Sequence, residues 1–580
     1  MRELYEAELR RLHEKAREFA EAYPEQAGML NLADVKDRDP YIERLLEGMA
    51  YLTAQIRVHI EDDIPEISET LLNHLWPHFL RPYPSATIVE FTPKAGQLQK
   101  PQYLARGTRI RSGAVGNADE GRVPCRFRTT VPVVLNPLEL VAMDLDEPTG
   151  GGTRFRLRFR AHRGVDVGDL DLAALKIYLD ADPSLALWLH HQLTGGVRRA
   201  RVHLPDQPTS LPTELGGQEA VRPAHMDGED AMVPISGRSF FGFHLLQDYF
   251  CFRDRYMFVT LHGLEGVDWP RGCNEFEVEI LVDGTTPRDH KLDKNNFRLH
   301  CAPAVNLFAW SAEPIRLEHR RASYTVMADA GAREGMQVYS VDRVIGIDAE
   351  KGTQHEYQPM QTFRHRRQRG RFFHVHRRQD GASRPEFYIT LGGIDDYRPE
   401  TLSLDITATN GSYPRRYLKE RSLSGSDKDF PSYADATNLT RPSRALAPPA
   451  RGRFQWELIS HLSLNYSTFT SLETLRRVLA LYDWSDDEQN RMRIEGIRDI
   501  QVAPMERVRR GALMRGLDVC LTVHEDHYLS RHDIHLFGLV LHHFFSMYAA
   551  VNCFVQTRVI CHPTNREFTW EPMPGINAPL

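Results

Sequence analysis

The sequence predicts an α+β multidomain protein with a helical N-terminal segment, β-rich central domains and a mixed α/β C-terminal domain. Three observations support this class. Apolar residues recur at helical spacing over roughly the first 80 positions, and from about residue 86 they alternate with polar residues. The chain of 580 residues is also too long for one hydrophobic core, so several domains are expected.

The first helix carries a seven-residue repeat, which is the spacing of a helix that packs lengthwise on another helix. Charged residues fill most of the intervening positions, and Ala16 is the one small residue in the repeat. A helix of this length is marginal alone, so its seam should be buried against a partner. We predict partner contacts for the large side chains of the seam, namely Tyr5, Leu9, Leu12, Phe19 and Tyr23. Packing on the second helix of the same chain is the alternative.

The second helix should begin at Asp39 and Pro40, because Asp caps helices and Pro fits the first turn. Its apolar face comprises Ile42, Leu45, Leu46, Met49, Leu52, Ile56 and Ile60. A third helix should start at Pro65 and end near Trp76, because Pro77 cannot continue it. The prolines that follow should then launch a stiff, strand-like connection into the β-rich body.

Strict alternation of apolar and polar residues marks strands with one buried face and one face in water. TRFRLRFR (153–160) places three large apolar residues on one face and four arginines on the other. EFEVEI (275–280) and LSLDIT (402–407) alternate in the same way. We therefore expect antiparallel sheets in the middle of the chain.

Stretches rich in Pro, Gly and Ser at 150–152, 195–238 and 422–450 indicate turns or linkers. Beyond the last of them the pattern is mixed, with a strong helix from His532 to Val551 followed by a strand-like segment. The predicted domains are a helical N-terminal segment at 1–85, β-rich domains at 86–320 and 321–440, and a mixed α/β domain at 441–580.

Composition excludes several classes of protein. The net charge of -6 gives the whole chain no attraction for nucleic acid or acidic lipid. No apolar run reaches the roughly 18 residues of a membrane helix, and the charged N-terminus is not a secretory signal. The seven cysteines form no C-x-x-C pair, so we expect a reduced, cytoplasmic protein.

No motif in the sequence carries clear catalytic chemistry. The dipeptide Gly-Lys of a Walker A loop is absent, and so is a G-x-S-x-G elbow. The best metal candidate is HEDHYLSRHDIH, with His524, His527, His532 and His535. Its H-E-D-H spacing is one residue short of a helical zinc motif, so a solvated loop and helix start are expected instead. We predict no catalytic, cofactor-binding or metal site.

A basic run at 363–378, FRHRRQRGRFFHVHRR, holds seven arginines and no acidic residue. It supports an alternative function, in which the protein binds nucleic acid through Arg364 to Arg378. An exposed strand pair or loop that faces an acidic partner protein explains the run equally, and the negative net charge favours that explanation.

Two asparagines, Asn306 and Asn465, stand inside apolar, aromatic-rich segments. A buried amide needs hydrogen-bond partners, so each is expected to pin a turn or a strand end through the backbone. Neither segment offers an obvious nucleophile, acid or base.

Several segments, in order and spacing, carry a resemblance to a known family. They include DPYIERLLEGMAYLTAQI and IPEISETLLNHLWPHFLRPYPS near the front, CAPAVNLFAWSAEPIRLEH from Cys301, WELISHLSLNYSTF from Trp456, and LFGLVLHHFFSMYAAVNCFVQ near the end. The sequence closely resembles the TssF family, also called VasA or ImpG, of bacterial type VI secretion baseplates. The match is weakest at 195–238 and 364–378.

The resemblance implies a structural role with no catalytic residue to transfer. TssF-like proteins pair and join TssG in a baseplate wedge, which also contacts TssK and TssE. Wedges surround the spike and form the platform for the contractile sheath and tube. The resemblance thus implies a cytoplasmic location at the inner face of the inner membrane, through the complex and without insertion. The seam from Tyr5 to Tyr23 is the natural candidate for the contact with TssG.

Overall fold

The structure is a computed structural model of the 580-residue chain. It describes residues 5, 9, 10, 12, 13, 15, 16, 44–53, 72, 76–117, 121–205, 211–234, 242–287, 290–318, 321–332, 334–348, 352–360, 370–378, 386–393, 399–425, 430–449, 458, 471–509 and 511–575. Two compact units divide the chain. The first comprises Met1–His74 with Pro449–Ser463, and the second comprises Leu75–Pro448 with Leu464–Leu580.

In the first unit all the described residues between 5 and 16 are helical, and so is the segment 44–53. These positions fall inside the first two predicted helices. The start of the second helix and most of the third helix lie outside the described residues. Near the start of the second unit, Pro77–Leu80 form a short 3-10 helix, and an extended strand follows from Ala86. The predicted extended exit therefore begins one turn later than expected.

The structure describes further helices and strands in the second unit. Its helices are α1 (Pro183–Gly195), α2 (Gly242–Cys251), α3 (Tyr413–Tyr417), α4 (Leu472–Tyr482), α5 (Glu488–Glu495) and α6 (Arg531–Tyr548). Its strands are β1 (Ala86–Pro93), β2 (Gln102–Leu104), β3 (Arg109–Val115), β4 (Val123–Thr129), β5 (Val133–Leu135), β6 (Leu138–Asp146), β7 (Thr153–Ala161), β8 (Leu175–Leu179), β9 (Val197–His203), β10 (Thr213–Gly216), β11 (Val221–Pro223), β12 (Phe258–Leu261), β13 (Glu275–Val282), β14 (Phe297–Leu299), β15 (Cys301–Val305), β16 (Phe308–Ser311), β17 (Ile315–Leu317), β18 (Tyr324–Val326), β19 (Gln337–Asp348), β20 (Gln354–Pro359), β21 (Phe372–Arg378), β22 (Glu386–Gly392), β23 (Glu400–Thr409), β24 (Leu423–Ser424), β25 (Ala434–Asn438), β26 (Ile497–Arg509), β27 (Ala512–His524), β28 (Cys553–His562), β29 (Arg566–Thr569) and β30 (Met573–Pro574).

Two large sheets share one hydrophobic core. One has the order β24-β3-β4-β15-β1-β25, and the other runs β16-β23-β19-β20-β21-β22-β18, with β17 also paired to β23. Apolar residues of both sheets, such as Phe127 and Ile406, belong to the same buried cluster. Strands from both sides of residue 320 therefore build each of these sheets, although the predicted domain limits stay a prediction.

A five-stranded sheet, β10-β9-β13-β7-β6, contains two of the strands predicted from alternation. TRFRLRFR lies in β7, where Phe155, Leu157 and Phe159 are buried, and EFEVEI lies in β13. LSLDIT, the third segment that alternation predicted to be a strand, lies in β23. The described residues thus confirm a strand-rich α+β protein with several sheets.

Helices cover the smaller sheets of the second unit. The sheet β11-β12-β8-β14 contacts α1, and α6 contacts α1, α2 and β28. Nearly every residue of α6 is buried, so this helix lies inside the core. It begins at Arg531, where the Ser530 hydroxyl caps the first backbone N–H groups, close to the predicted start at His532.

The last sheet, β26-β27-β28-β29 with β30 beside β28, belongs to the C-terminal part. Strands β26 and β27 form an antiparallel ribbon that pairs along its whole length. Strand β28 joins β27 in parallel, starting at the pair Arg515 and Cys553. The outer end of the ribbon therefore extends past the third strand.

Candidate docking surfaces

The helical segment 44–53 leaves an apolar stripe open. Leu45, Met49 and Leu52 are 63%, 49% and 58% exposed, and their spacing of four and three residues places them on one helix face. Ala50 is fully buried and Leu46 is half-buried on the other side. The single apolar face predicted from sequence is therefore split into a packed part and an open part.

The predicted seam is only partly described. Tyr5, Leu9 and Leu12 are helical and half-buried, whereas Phe19 and Tyr23 lie outside the described residues. Partner contact through these five side chains stays a prediction.

The histidines of HEDHYLSRHDIH separate into two groups. His532 and His535 lie in the first turns of α6 and are buried, where they meet His191 of α1. The Nδ1 atoms of His191 and His532 are 2.7 Å apart, and the rings of His191 and His535 stack with centroids 4.1 Å apart. His524 and His527 lie before the helix and take no part in this cluster.

Burial, helped by neighbouring positive groups, lowers the pKa of His191 and of His532 to about 3. Burial also lowers the pKa of His535 well below its usual value. These rings are therefore uncharged core residues at neutral pH. Within the residues that the structure describes, no group of three or more His, Cys, Asp or Glu side chains is arranged to hold a metal ion.

The basic run is described only from residue 370 to residue 378, and its part at 363–369 lies outside the described residues. Phe372–Arg378 form β21, which pairs with β22 and β20. Arg371 places a guanidinium nitrogen 3.1 Å from a carboxylate oxygen of Glu400, and Arg377 donates to the Leu80 carbonyl. Two of its arginines thus engage their own chain.

Asn306 confirms the expectation for a buried amide. Its side-chain oxygen accepts from the Asn410 N–H at 2.7 Å, and its Nδ2 donates to the Arg126 carbonyl at 2.7 Å. It thereby connects strand ends of the two large sheets. Asn465 lies outside the described residues.

Comparison with known proteins shows the family of a chain that carries these surfaces. The sequence matches the model of the family "Type VI secretion system, TssF" over residues 1–577. The chain belongs to the TssF family. It is 31% identical to the type VI secretion system component TssF1 of Pseudomonas aeruginosa (strain PAO1), in an alignment that covers 100% of this chain and 99% of that protein.

Two solved structures resemble this TssF-family chain. A chain of the TssK-TssF-TssG baseplate subcomplex of the type VI secretion system, determined by cryo-electron microscopy, has a TM-score of 0.78 and 32% identity. That match covers 93% of this chain and 100% of the other. A chain of a type VI secretion baseplate complex has a TM-score of 0.64 and 30% identity, with 100% of both chains covered. The homologues of this TssF-family chain are structural baseplate components.

Among the helices that the structure describes, none combines the length and the apolar character required to cross a bilayer.

Sequence patterns missed one exposed surface of this TssF-family chain. Val508 and Leu513, near the outer end of the β26–β27 ribbon, are 69% and 62% exposed. The segment MERVRRGALMR does contain a signal, because its Gly and clustered arginines sit between two apolar alternations. The alternation predicts a hairpin, but it does not reveal that the hairpin extends past the neighbouring strand of its sheet.

Proposed function

We propose that this TssF-family chain is a structural wedge subunit of a type VI secretion baseplate, which pairs with a second copy and binds TssG. The observation that carries the proposal is the open apolar stripe formed by Leu45, Met49 and Leu52. A helix with one packed face and one open apolar face suits a bundle completed by another chain. The similar subcomplex that contains TssK, TssF and TssG supports TssG as that chain.

The energetics of the stripe suit a lasting interface. Full burial of one large apolar side chain contributes about 1.5–3 kcal/mol before entropy is subtracted. Three such side chains, together with the seam residues Tyr5, Leu9 and Leu12, would therefore supply a useful share of a permanent helical contact. The same stripe would be unfavourable on a chain that stays alone.

The remaining contacts of the wedge follow from the family. We assign TssK and TssE as further partners, and we place the assembled wedges around the spike as the platform for the sheath and tube. The platform then lies at the cytoplasmic face of the inner membrane, to which this chain is peripheral through the complex. The chain supplies shape and contact surface and performs no catalysis.

Co-expression with TssG tests the helical contact. The double variant Leu45→Asp with Leu52→Asp should lower TssG recovery at least tenfold, because two desolvated contacts would become buried charges. Arg44→Asp is the matched control, since it introduces the same side chain on the flank of the same segment. It should leave recovery within twofold of the unsubstituted chain.

Mass measurement of the purified complex tests the pairing. Two copies of this chain with TssG are expected.

The co-expression experiment can also contradict the helical contact. Full recovery of TssG with the double variant Leu45→Asp and Leu52→Asp, while circular dichroism shows native helix content, would exclude the stripe as the contact. The variant Leu9→Asp with Leu12→Asp asks the same question of the predicted seam.

A further inference from the structure

The outer end of the β26–β27 ribbon protrudes from its sheet. We call the described residues 506–509 and 511–514 the arm. Pairing between β26 and β27 continues to Arg509 and Ala512, whereas β28 pairs with β27 only from Arg515 inward. In the described part of the chain no third strand pairs with the arm. Three residues of each strand, 507–509 and 512–514, pair beyond the last residue that β28 reaches, which extends the ribbon by about 10 Å.

The arm carries an apolar surface that its own chain does not cover. Val508 and Leu513 are directly paired across the ribbon, so their side chains lie on the same face. Further inward, that face contributes Ile500 and Leu521 to the core. Beyond the core this face carries the charged pair Glu506 and Arg515, and then Val508 and Leu513, which are 69% and 62% exposed. An isolated two-stranded ribbon is marginally stable in water, so such a pair is favourable only when it is covered.

The other face of the arm carries Arg507. Arg507 and Met505 line a cleft of about 350 Å³, together with Trp570 and Glu571 of the body. Within the described residues, Arg507 makes no hydrogen bond or ion pair. Arg515 lies on the Val508 face, directly opposite Glu506, and is 3.8 Å from the carboxylate of that residue.

The charge of the chain around the arm indicates what kind of molecule covers the arm. The segment 505–515 contains four arginines and a single glutamate, in a chain whose net charge is -6. Complementary charge favours an acidic occupant.

We propose that the arm is a docking element that binds a segment of another polypeptide of the baseplate platform. That segment contains both carboxylates and apolar side chains. Apolar side chains of that segment cover Val508 and Leu513, and a carboxylate beside them pairs with Arg515 on the same face. A second carboxylate reaches around the edge of the two-stranded arm to Arg507 on the opposite face. The inference rests on the membership of a multi-protein platform proposed above, but it concerns a different surface. Insertion into a membrane fits less well, because two exposed apolar side chains give little area for bilayer binding.

Site-specific photocrosslinking tests the occupant. A photoreactive amino acid replaces Val508 in the full chain, which is co-expressed with the baseplate proteins of its own secretion system. Crosslinked peptides are identified by mass spectrometry. The control carries the same group at Leu211, which is 91% exposed. We expect an adduct from position 508 to a net-acidic segment of a different subunit, at least fivefold above the control.

Charge reversal sharpens the result. Arg507→Glu with Arg515→Glu should lower the yield of that adduct at least fivefold, and higher salt should lower the yield with the unsubstituted arginines. TssG recovery should stay unchanged, which separates a failure here from a failure of the helical contact. An adduct within this chain, an adduct to a second copy or to a basic segment, or no adduct in the assembled complex would overturn the proposal. Sedimentation of the purified chain with anionic phosphatidylserine vesicles, abolished by Val508→Asp, would also overturn it.

Discussion

Arginines line two β regions of this chain, and the fold treats them in opposite ways. On β7 every arginine of the alternation has a carboxylate of its own sheet within 4 Å. Arg158 is 3.1 Å from Glu277, and Arg160 is 3.0 Å from Glu275. On the arm, Arg507 has no such partner within the described residues. The comparison separates positive charge that is neutralised inside the molecule from positive charge left for another molecule.

Register explains the difference. Antiparallel pairing sets β13 against β7 so that Glu275 and Glu277 lie directly opposite Arg160 and Arg158. Opposite charges at paired positions stabilise a sheet. On the arm the corresponding partner of Arg507 is Met514. An acidic column is absent there, although the local sequences look equally basic.

A third group of arginines is buried in the interior of the chain. Arg493 and Asp533 are almost completely buried, and their ion pair measures 2.8 Å. Other buried positions carry histidines instead, and burial lowers the pKa of such rings, as at His190 and His300. The cost of disturbing a charge should therefore rise from the arm, through the β7 face, to the interior.

The largest effect is expected from acid. Burial is the main cause that lowers the pKa of ten histidines, which are His78, His190, His191, His225, His244, His300, His532, His535, His542 and His543. In the unfolded chain each has a pKa near 6.5, so below that pH the unfolded state binds more protons. Stability should fall as pH falls from about 6.5, by up to about 1.4 kcal/mol per histidine and pH unit.

Over about one pH unit, ten such groups together would cost up to about 14 kcal/mol, which is comparable with the usual 5–15 kcal/mol stability of a folded domain. We expect unfolding between about pH 6 and pH 5, measured by urea titration with circular dichroism at several pH values. His190→Met is the matched variant, because both ring nitrogens of His190 are buried without a hydrogen bond. It should make the pH dependence shallower by one proton. A free energy of unfolding that is constant from pH 7 to pH 5 would contradict the assignment.

The next effect concerns the buried ion pair. Asp533→Asn leaves the Arg493 guanidinium without a full counter-charge and weakens the contact with Arg253, which is 3.5 Å from the second carboxylate oxygen. The free energy of unfolding should fall by about 3–5 kcal/mol. Asp486→Asn is the control, since Asp486 pairs with Arg491 at 2.9 Å and both side chains are exposed to solvent. It should cost less than about 1 kcal/mol. Equal losses would show that burial does not set the scale.

Local patterns predicted much of this fold. The alternation in TRFRLRFR and EFEVEI predicted β7 and β13, because a strand repeats every two residues whatever its neighbours are. The apolar run after His532 predicted α6, because the repeat of a helix is also a local property of the sequence. The amide of Asn306 was predicted to pin a strand end, since a buried amide needs partners.

Features that depend on distant residues could not be predicted. Arg160 and Glu275 are separated by 115 positions, and only the register of β7 with β13 brings them together. Competing side chains also decide where a helix begins. Ser485 and Glu488 have the spacing of a capping box, but α5 begins after Asp487, whose carboxylate accepts from the Gln489 N–H. The Ser485 hydroxyl bonds to Asp483 instead, so a competing side chain decided the start.

A moderate effect is expected on the β7 face. Glu277→Gln keeps the shape of the side chain but removes the charge beside Arg158, and it should cost about 0.2–1 kcal/mol. The loss should shrink in 1 M salt, because this face is partly open to solvent. Glu147→Gln, at an exposed position, is the control and should change stability by less than about 0.5 kcal/mol. Urea titrations of both variants at two salt concentrations measure the difference. A loss in the control equal to that of Glu277→Gln would remove the distinction.

The smallest effect on stability is expected on the arm, and it completes the comparison. Arg507→Gln removes a charge that has no partner in the described part of the chain, so the free energy of unfolding should change by less than about 0.5 kcal/mol. The crosslink from position 508 to an acidic segment should nevertheless weaken, because the lost charge serves a contact outside the chain. Arg158→Gln should behave in the reverse way, with a measurable loss of stability and an unchanged crosslink. If Arg507→Gln instead destabilised the isolated chain by more than 1 kcal/mol, the arm would be held by its own molecule, and its charge would have the same role as that of the β7 face.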